Sequence, residues 1–445
     1  MRNALALASL VLAALLCFGA AGWMADKVGG VGRSEAGELT TPSGAPPGVR
    51  FVTVALGGFR GLLVDALWVR AARLQDEGDF FEVAQLAEWI THLEPRYPEV
   101  WSYHAWNLAY NIGAMFPDPA DRWHWVQTGI RLLRDEGIPA NAHESKLYWE
   151  LGWLFADKVG GRWDDAEFYY RTSLAAEMTA TLGGGTFDRE WFRNRPDRQA
   201  RLASQGLVSG FMIQVDERYG PLDWRLPETH ALYWATRGRP FQKPDDHWCE
   251  RLVWSSLTDE VRAGALYFDA TERLYLRGPQ LEVAIKGIRA CERENPFGAP
   301  LVATAAENFL REAMVNLYAF SQFKDAEEAL ALLRRQGIVK GRPSIEAAVR
   351  EELRLRFVGL DRLRGPQIVE DILSNGYMWK ALGKPECARG LEALARLYWD
   401  ALTPSAEDTA DRTGGQSWDD VRRKAKRQAR LSLPEVKRAE LDGES

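Results

Sequence analysis

Apolar positions along this chain recur at intervals of three and four, the spacing of one face of an α-helix. Leu67, Ala71 and Leu74 share one such face, Val83, Ala87 and Ile90 share another, and Pro95 stands where the second helix should stop. Proline lacks the amide hydrogen that continues a helix and biases the residue before it out of the helical region. Trp101 opens a second set, in which Ala105 and Leu108 repeat the spacing of Ala71 and Leu74. Further on, Tyr148, Leu151, Gly152 and Phe155 lead into Ala166 and Tyr170. Phe268, Tyr275, Ala284, Ile288, Cys291 and Pro296 fit the same offsets, as do Ala313, Met314 and Leu317 followed by Ala326, Leu330 and Leu333. The pattern predicts an all-α protein built from successive helix pairs.

The step from Leu67 to Trp101 matches the period of a helix-pair repeat. With an aromatic, Leu-Gly and a second aromatic in one helix and Ala-x3-aromatic in the next, the chain resembles the tetratricopeptide-repeat family. That resemblance implies a solenoid of antiparallel helix pairs, each burying its apolar face only by stacking on its neighbours. It implies a non-enzymatic scaffold that holds a peptide or protein partner. Small residues at Ala71, Ala105 and Gly152 then mark the closest approach of the two helices of a pair. In the family, the first helix of each pair lines a concave face. The resemblance therefore places Trp68, Trp106, Asn107, Tyr110, Asn111, Trp149 and Trp153 on a partner-binding groove. Indoles offer a large contact area and a donor at low entropic cost.

The pattern is irregular. Trp101 to Tyr148 exceeds one period, with Met115–Asp121 supplying an extra turn, and Gly160-Gly161 lengthens the third pair. Residues 181–247 match nothing in it and read as an irregular insertion between N-terminal repeats at 51–180 and C-terminal repeats at 248–402. Within that insertion Gly183-Gly184-Gly185 is a break. A helix should enter at Pro227 with Glu228 in its first turn, where negative charge suits the dipole.

The N-terminus changes the picture. From Ala4 to Ala25 no residue carries a charge, a run long enough to cross a bilayer as one helix. Residues 1–27 read as a transmembrane signal anchor that holds the repeats outside the cytoplasm, on the periplasmic side of the inner membrane in a bacterium. A cleaved signal peptide is the alternative, with Ala20, Ala21 and Gly22 as small residues for cleavage. Flanking positive charges are balanced, so they do not set the orientation. Residues 28–50 are rich in Gly, Ser, Thr and Pro and read as a flexible linker. Residues 403–445 turn polar and then basic, the composition of a disordered tail. Within it, Ser417-Trp-Asp-Asp420 can cap a short helix running into Arg422–Arg430.

A net charge of −6 over 445 residues implies no nucleic-acid footprint. Cys17, Cys249, Cys291 and Cys387 have no paired spacing. Phosphate-loop, nucleophile-elbow, zinc-protease and dinucleotide motifs are missing, and no cofactor is expected. Glu228 and His230 with Asp245, Asp246 and His247 are metal-ligand residue types, but their spacing matches no ligand motif. Two other readings stay open: a glycan- or peptidoglycan-binding protein using the Trp-lined groove, and an enzyme with a metal site in 181–250.

Overall fold

The computed structural model describes residues 60–161, 163–188, 190, 195–357, 364–403 and 413–442. The apolar run Ala4–Ala25, the linker 28–50, residues 51–59 and the polar stretch 404–412 lie outside the described residues. Among the described residues no helix is long and apolar enough to cross a membrane. Their regular elements are helical apart from one two-stranded hairpin. The chain divides into two compact units, ending and starting at Asn107 and Leu108.

The first unit holds α1 (Arg60–Glu77), α2 (Phe80–Leu93) and α3 (Pro98–Trp106). Gly78 takes a positive φ, which lets the chain reverse tightly between α1 and α2. The Asp79 carboxylate then accepts the Glu82 amide and starts α2. The helices pair as their periodicity predicts. Ala71, Leu74, Val83 and Leu86 form one buried cluster, and Val64, Ile90, Leu93 and Val100 another. The Pro95 carbonyl accepts the Trp101 indole at 2.8 Å, so the helix-ending proline also anchors α3. His104 is buried and held near pKa 4 by desolvation and then by His92; it is a neutral core residue.

The second unit runs through α4 (Pro119–Arg131), α5 (Ser145–Trp153), α6 (Glu167–Leu182), α7 (Pro196–Ser204), α8 (Ser209–Tyr219), α9 (Pro227–Gly238) and α10 (Trp248–Ala263). Strands β1 (Ala265–Asp269) and β2 (Leu274–Gly278) follow, then α11 (Leu281–Glu294), α12 (Pro300–Ala319), α13 (Phe323–Arg335), α14 (Ile345–Arg356), α15 (Arg364–Ala381), α16 (Pro385–Leu402), α17 (Trp418–Ser432) and α18 (Glu435–Asp442). In α12 and α13 the repeat positions Ala313, Met314, Leu317, Ala326, Leu330 and Leu333 are all buried. π-helical turns follow α4 at Leu132–Gly137 and α5 at Leu154–Val159.

Three expectations change. First, the segment read as an irregular insertion supplies the centre of this unit. Helix α9 does enter at Pro227, but every residue from Pro227 to Ala235 is buried, and α9 packs on both α5 and α10. A helix apolar or satisfied all round shows no amphipathic stripe, which is why no repeat register matched it. Gly152 presses on this helix: a Cβ there would meet Leu252 Cδ2 at 2.9 Å and the Ala231 carbonyl at 3.1 Å.

Second, Phe268 and Tyr275 lie in the hairpin, not on a helix. They are direct partners in its register, so a spacing that mimics a helix face is here a cross-strand pair. The Asp269 carboxylate accepts the Thr271 and Glu272 amides and closes the tip. Third, the described part of the C-terminal tail is folded. Ser417 and Asp420 form a reciprocal capping box, and α17 buries Val421, Ala425 and Ala429 and packs on α15.

Candidate functional site

Helix α5 separates its faces. Leu147, Tyr148, Leu151 and Gly152 turn inward, which leaves Trp149 and Trp153 on the opposite face. The two indoles stack with centroids 5.9 Å apart at 29°, and Trp248, at the start of α10, lies 5.1 Å from Trp149 at 42°. The result is a row of three indoles, of which Trp153 is 37% and Trp248 46% exposed. Trp248 was not among the expected groove residues. It follows a polar loop and belongs to no repeat position, so spacing gave no signal for it.

The row is braced from below. Trp153 hydrogen-bonds Tyr110, whose hydroxyl donates to Asp157 Oδ2 at 2.7 Å. Burial, then the bond to Asp157, pushes the Tyr110 hydroxyl far up from its ordinary value. The Lys158 ammonium lies 5.1 Å from the Tyr110 ring centroid and 2.5 Å from Asp164 Oδ2. Burial works against the Asp164 carboxylate, but Lys158 and the Ala166 amide hold it at about 2. Asn111, in the same stretch, is half-buried.

The other expected groove residues belong to the first unit. Trp68 is half-buried and packs edge-on against Tyr103 at 5.0 Å. Trp106 is exposed. Asn107 is fully buried, and its amide donates to the Phe80 carbonyl at 3.2 Å. It is a core residue that satisfies a backbone group, not a groove residue.

The metal-type residues are turned to separate partners. Glu228 Oε1 takes Arg277 Nη1 at 2.9 Å, and His230 Nε2 donates to the Trp224 carbonyl at 3.0 Å. Asp246 accepts the Ser145 hydroxyl at 2.7 Å, and His247 faces Glu250. Among the described residues no group of three or more His, Cys, Asp or Glu is placed to hold a metal ion.

Beneath α9 lies a buried polar layer. Glu260 is fully buried, 2.5 Å from the Thr229 hydroxyl, which itself lies 2.8 Å from the Asp223 carbonyl. Desolvation pushes the Glu260 carboxyl well above its ordinary range, so it is neutral. A hydroxyl has one proton. With the Thr229 proton given to Asp223, the proton shared with Glu260 is the carboxyl's own.

Two open clefts complete the surface. One, of about 1160 Å³, runs beside β1, α11 and the starts of α13 and α16. The other, of about 650 Å³, lies among α10, α12 and α14. Its Glu312 pairs with Arg262 at 3.1 Å and Arg356 at 3.2 Å, and its Glu352 with Arg311 at 2.6 Å.

Comparison with known protein families, curated proteins and solved structures finds no match to this chain. What the structure itself defines is an all-helical protein with a single hairpin among its described residues.

Proposed function

We propose that this chain is a non-enzymatic scaffold, tetratricopeptide-like in its helix pairs, that holds a protein partner. In this reading Ala4–Ala25 tethers it to a membrane and the helices lie on the extracytoplasmic side. The supporting observation is the row Trp248–Trp149–Trp153. Contiguous apolar surface is kept on a folded protein chiefly where something covers it, and tryptophan leads the residues that anchor interfaces. Mutual stacking and the bond from Trp153 to Tyr110 fix the rings before binding, which lowers the ordering cost on association.

The test is a Trp149→Ala, Trp248→Ala double variant of the full chain, purified from solubilised membranes beside the parent. The proposal expects a protein that co-purifies with the parent and is lost from the variant, with helicity unchanged. Retention of the partner by a folded variant contradicts it. Saturable binding of peptidoglycan fragments to the same indoles, with no protein partner, replaces it with the glycan reading.

A further inference from the structure

Apart from the indole row, the second unit contains a small pocket of about 170 Å³. Its walls are Trp123 and Ile130 of α4, Leu174 and Met178 of α6, Phe155 and His230. Arg134, Glu177 and Gln205 border it. Apolar cavities of roughly 150 Å³ admit a molecule the size of benzene. This one differs in that a histidine in its wall carries a ring nitrogen without a protein partner.

That histidine is His230. Its Nε2 lies 3.0 Å from the Trp224 carbonyl, and a carbonyl only accepts, so Nε2 carries a proton. Burial above all holds this imidazole near pKa 4, so the ring is neutral and Nδ1 is a bare acceptor. Nδ1 hydrogen-bonds no described residue. The ring stands 4.8 Å from Phe155 at 23°, giving the pocket a flat aromatic wall.

The pocket is also built by local departures from regular helix. Arg134 comes from the π turn Leu132–Gly137 and Phe155 from the π turn Leu154–Val159. Such turns are uncommon and concentrate at functional sites. Arg134 is held by two bonds to Asp135, at 2.6 and 2.7 Å. Gly206, at positive φ, leaves room for its stem: a Cβ there would meet Arg134 Cδ at 2.6 Å.

We propose that this pocket binds a small planar aromatic molecule, of phenol to indole size, whose hydroxyl or N–H donates to His230 Nδ1. The inference stands on residues outside the indole row and does not depend on the partner reading. The probes are 4-fluorophenol and fluorobenzene, followed by ¹⁹F line broadening with the full-length protein in one detergent. Leu174→Trp, which fills the pocket, serves as the blank for partition into micelles. Saturable broadening of 4-fluorophenol should appear with the parent and be absent with Leu174→Trp. Fluorobenzene, which cannot donate, should bind about tenfold more weakly. His230→Phe keeps the stacked ring and removes the acceptor, and should bring the two probes to equal affinity. Gln205→Leu, at a half-exposed position on the border, leaves His230 Nδ1 in place and should leave the difference between the probes unchanged. Equal affinity of both probes for the parent overturns the donor recognition. Equal broadening with parent and a folded Leu174→Trp, or no saturable binding to the parent, overturns the site.

Discussion

Helix α9, which packs on the inner face of α5, and the outer face of α5 both invert the usual distribution of polar and apolar groups. On α9, Glu228, Thr229 and His230 are buried, and each finds a protein partner: Arg277, Glu260 with the Asp223 carbonyl, and the Trp224 carbonyl. On α5, Trp153 stays exposed, as does Trp248 of α10 on the other side of Trp149. Buried polar groups persist when their bonds are made within the fold, and removing one partner exposes the cost. Exposed indoles contribute little to folding, and in the proposed function they serve a partner. Substitutions in the first region should therefore act on stability, and those in the second on binding.

The largest effect is expected from Arg277→Met. It strands the Glu228 carboxylate, which is bonded to Arg277 at 2.9 Å and 5% exposed. Breaking a buried pair by removing one partner costs about 3–5 kcal/mol. Urea unfolding should show that loss, and adding Glu228→Gln should recover most of it. A loss below about 1 kcal/mol, the range of surface pairs, would remove α9 from the comparison.

Next is Gly152→Leu, at the contact between α5 and α9. Overpacking of this kind costs about 1–3 kcal/mol. The Ala231 carbonyl, 3.1 Å from the new Cβ, is backbone that cannot move aside. Thermal melts by circular dichroism report the loss. An unchanged midpoint means the two helices are not in close contact.

Glu260→Gln has the opposite sign. Burial raises the Glu260 carboxyl, so the folded state holds a proton that the unfolded state releases. The stability this confers is present below the ordinary carboxylate range and is lost as pH rises toward the raised value. A neutral amide escapes the penalty and can still donate to Thr229. The variant should melt above the parent at pH 8, with the gap closing toward pH 4. A gap that widens toward acid contradicts the neutral carboxyl.

The smallest stability effect belongs to Trp149→Ala with Trp248→Ala. Surface changes away from the core usually cost little. Trp149 is half-buried, which sets the expected loss of the pair higher than for two fully exposed positions. A loss of about 1 kcal/mol in urea unfolding is expected. A melt far below the parent makes the rings core and collapses the contrast with α9.

Periodicity was enough for α1 with α2, which are each other's main neighbour, and for α13, whose one apolar stripe meets α12. Local chemistry marked the Pro227 start of α9 and the Ser417 cap of α17, since both depend only on adjacent backbone. The interior of α9 was illegible because a helix buried on every side has no stripe. The hairpin hid behind a spacing that helices and cross-strand pairs share. Asn107 looked like a groove amide because its type suits one, while its burial depends on the Phe80 carbonyl, far back in the chain. The π turns after α4 and α5, and with them the pocket at His230, depend on where extra residues are absorbed in a helix, which no residue type announces. Trp149 and Trp153 were readable from helical spacing, whereas Trp248 joins them only through the packing of α10 on α5.

The central claim is tested most directly by placing the photo-crosslinker p-benzoylphenylalanine at position 248 of the full chain and irradiating intact membranes. The account predicts a crosslink to one protein partner that disappears when Trp149→Ala and Trp153→Ala are introduced into a chain that remains folded. A crosslink that survives those substitutions, or none at all from a folded chain, would contradict it.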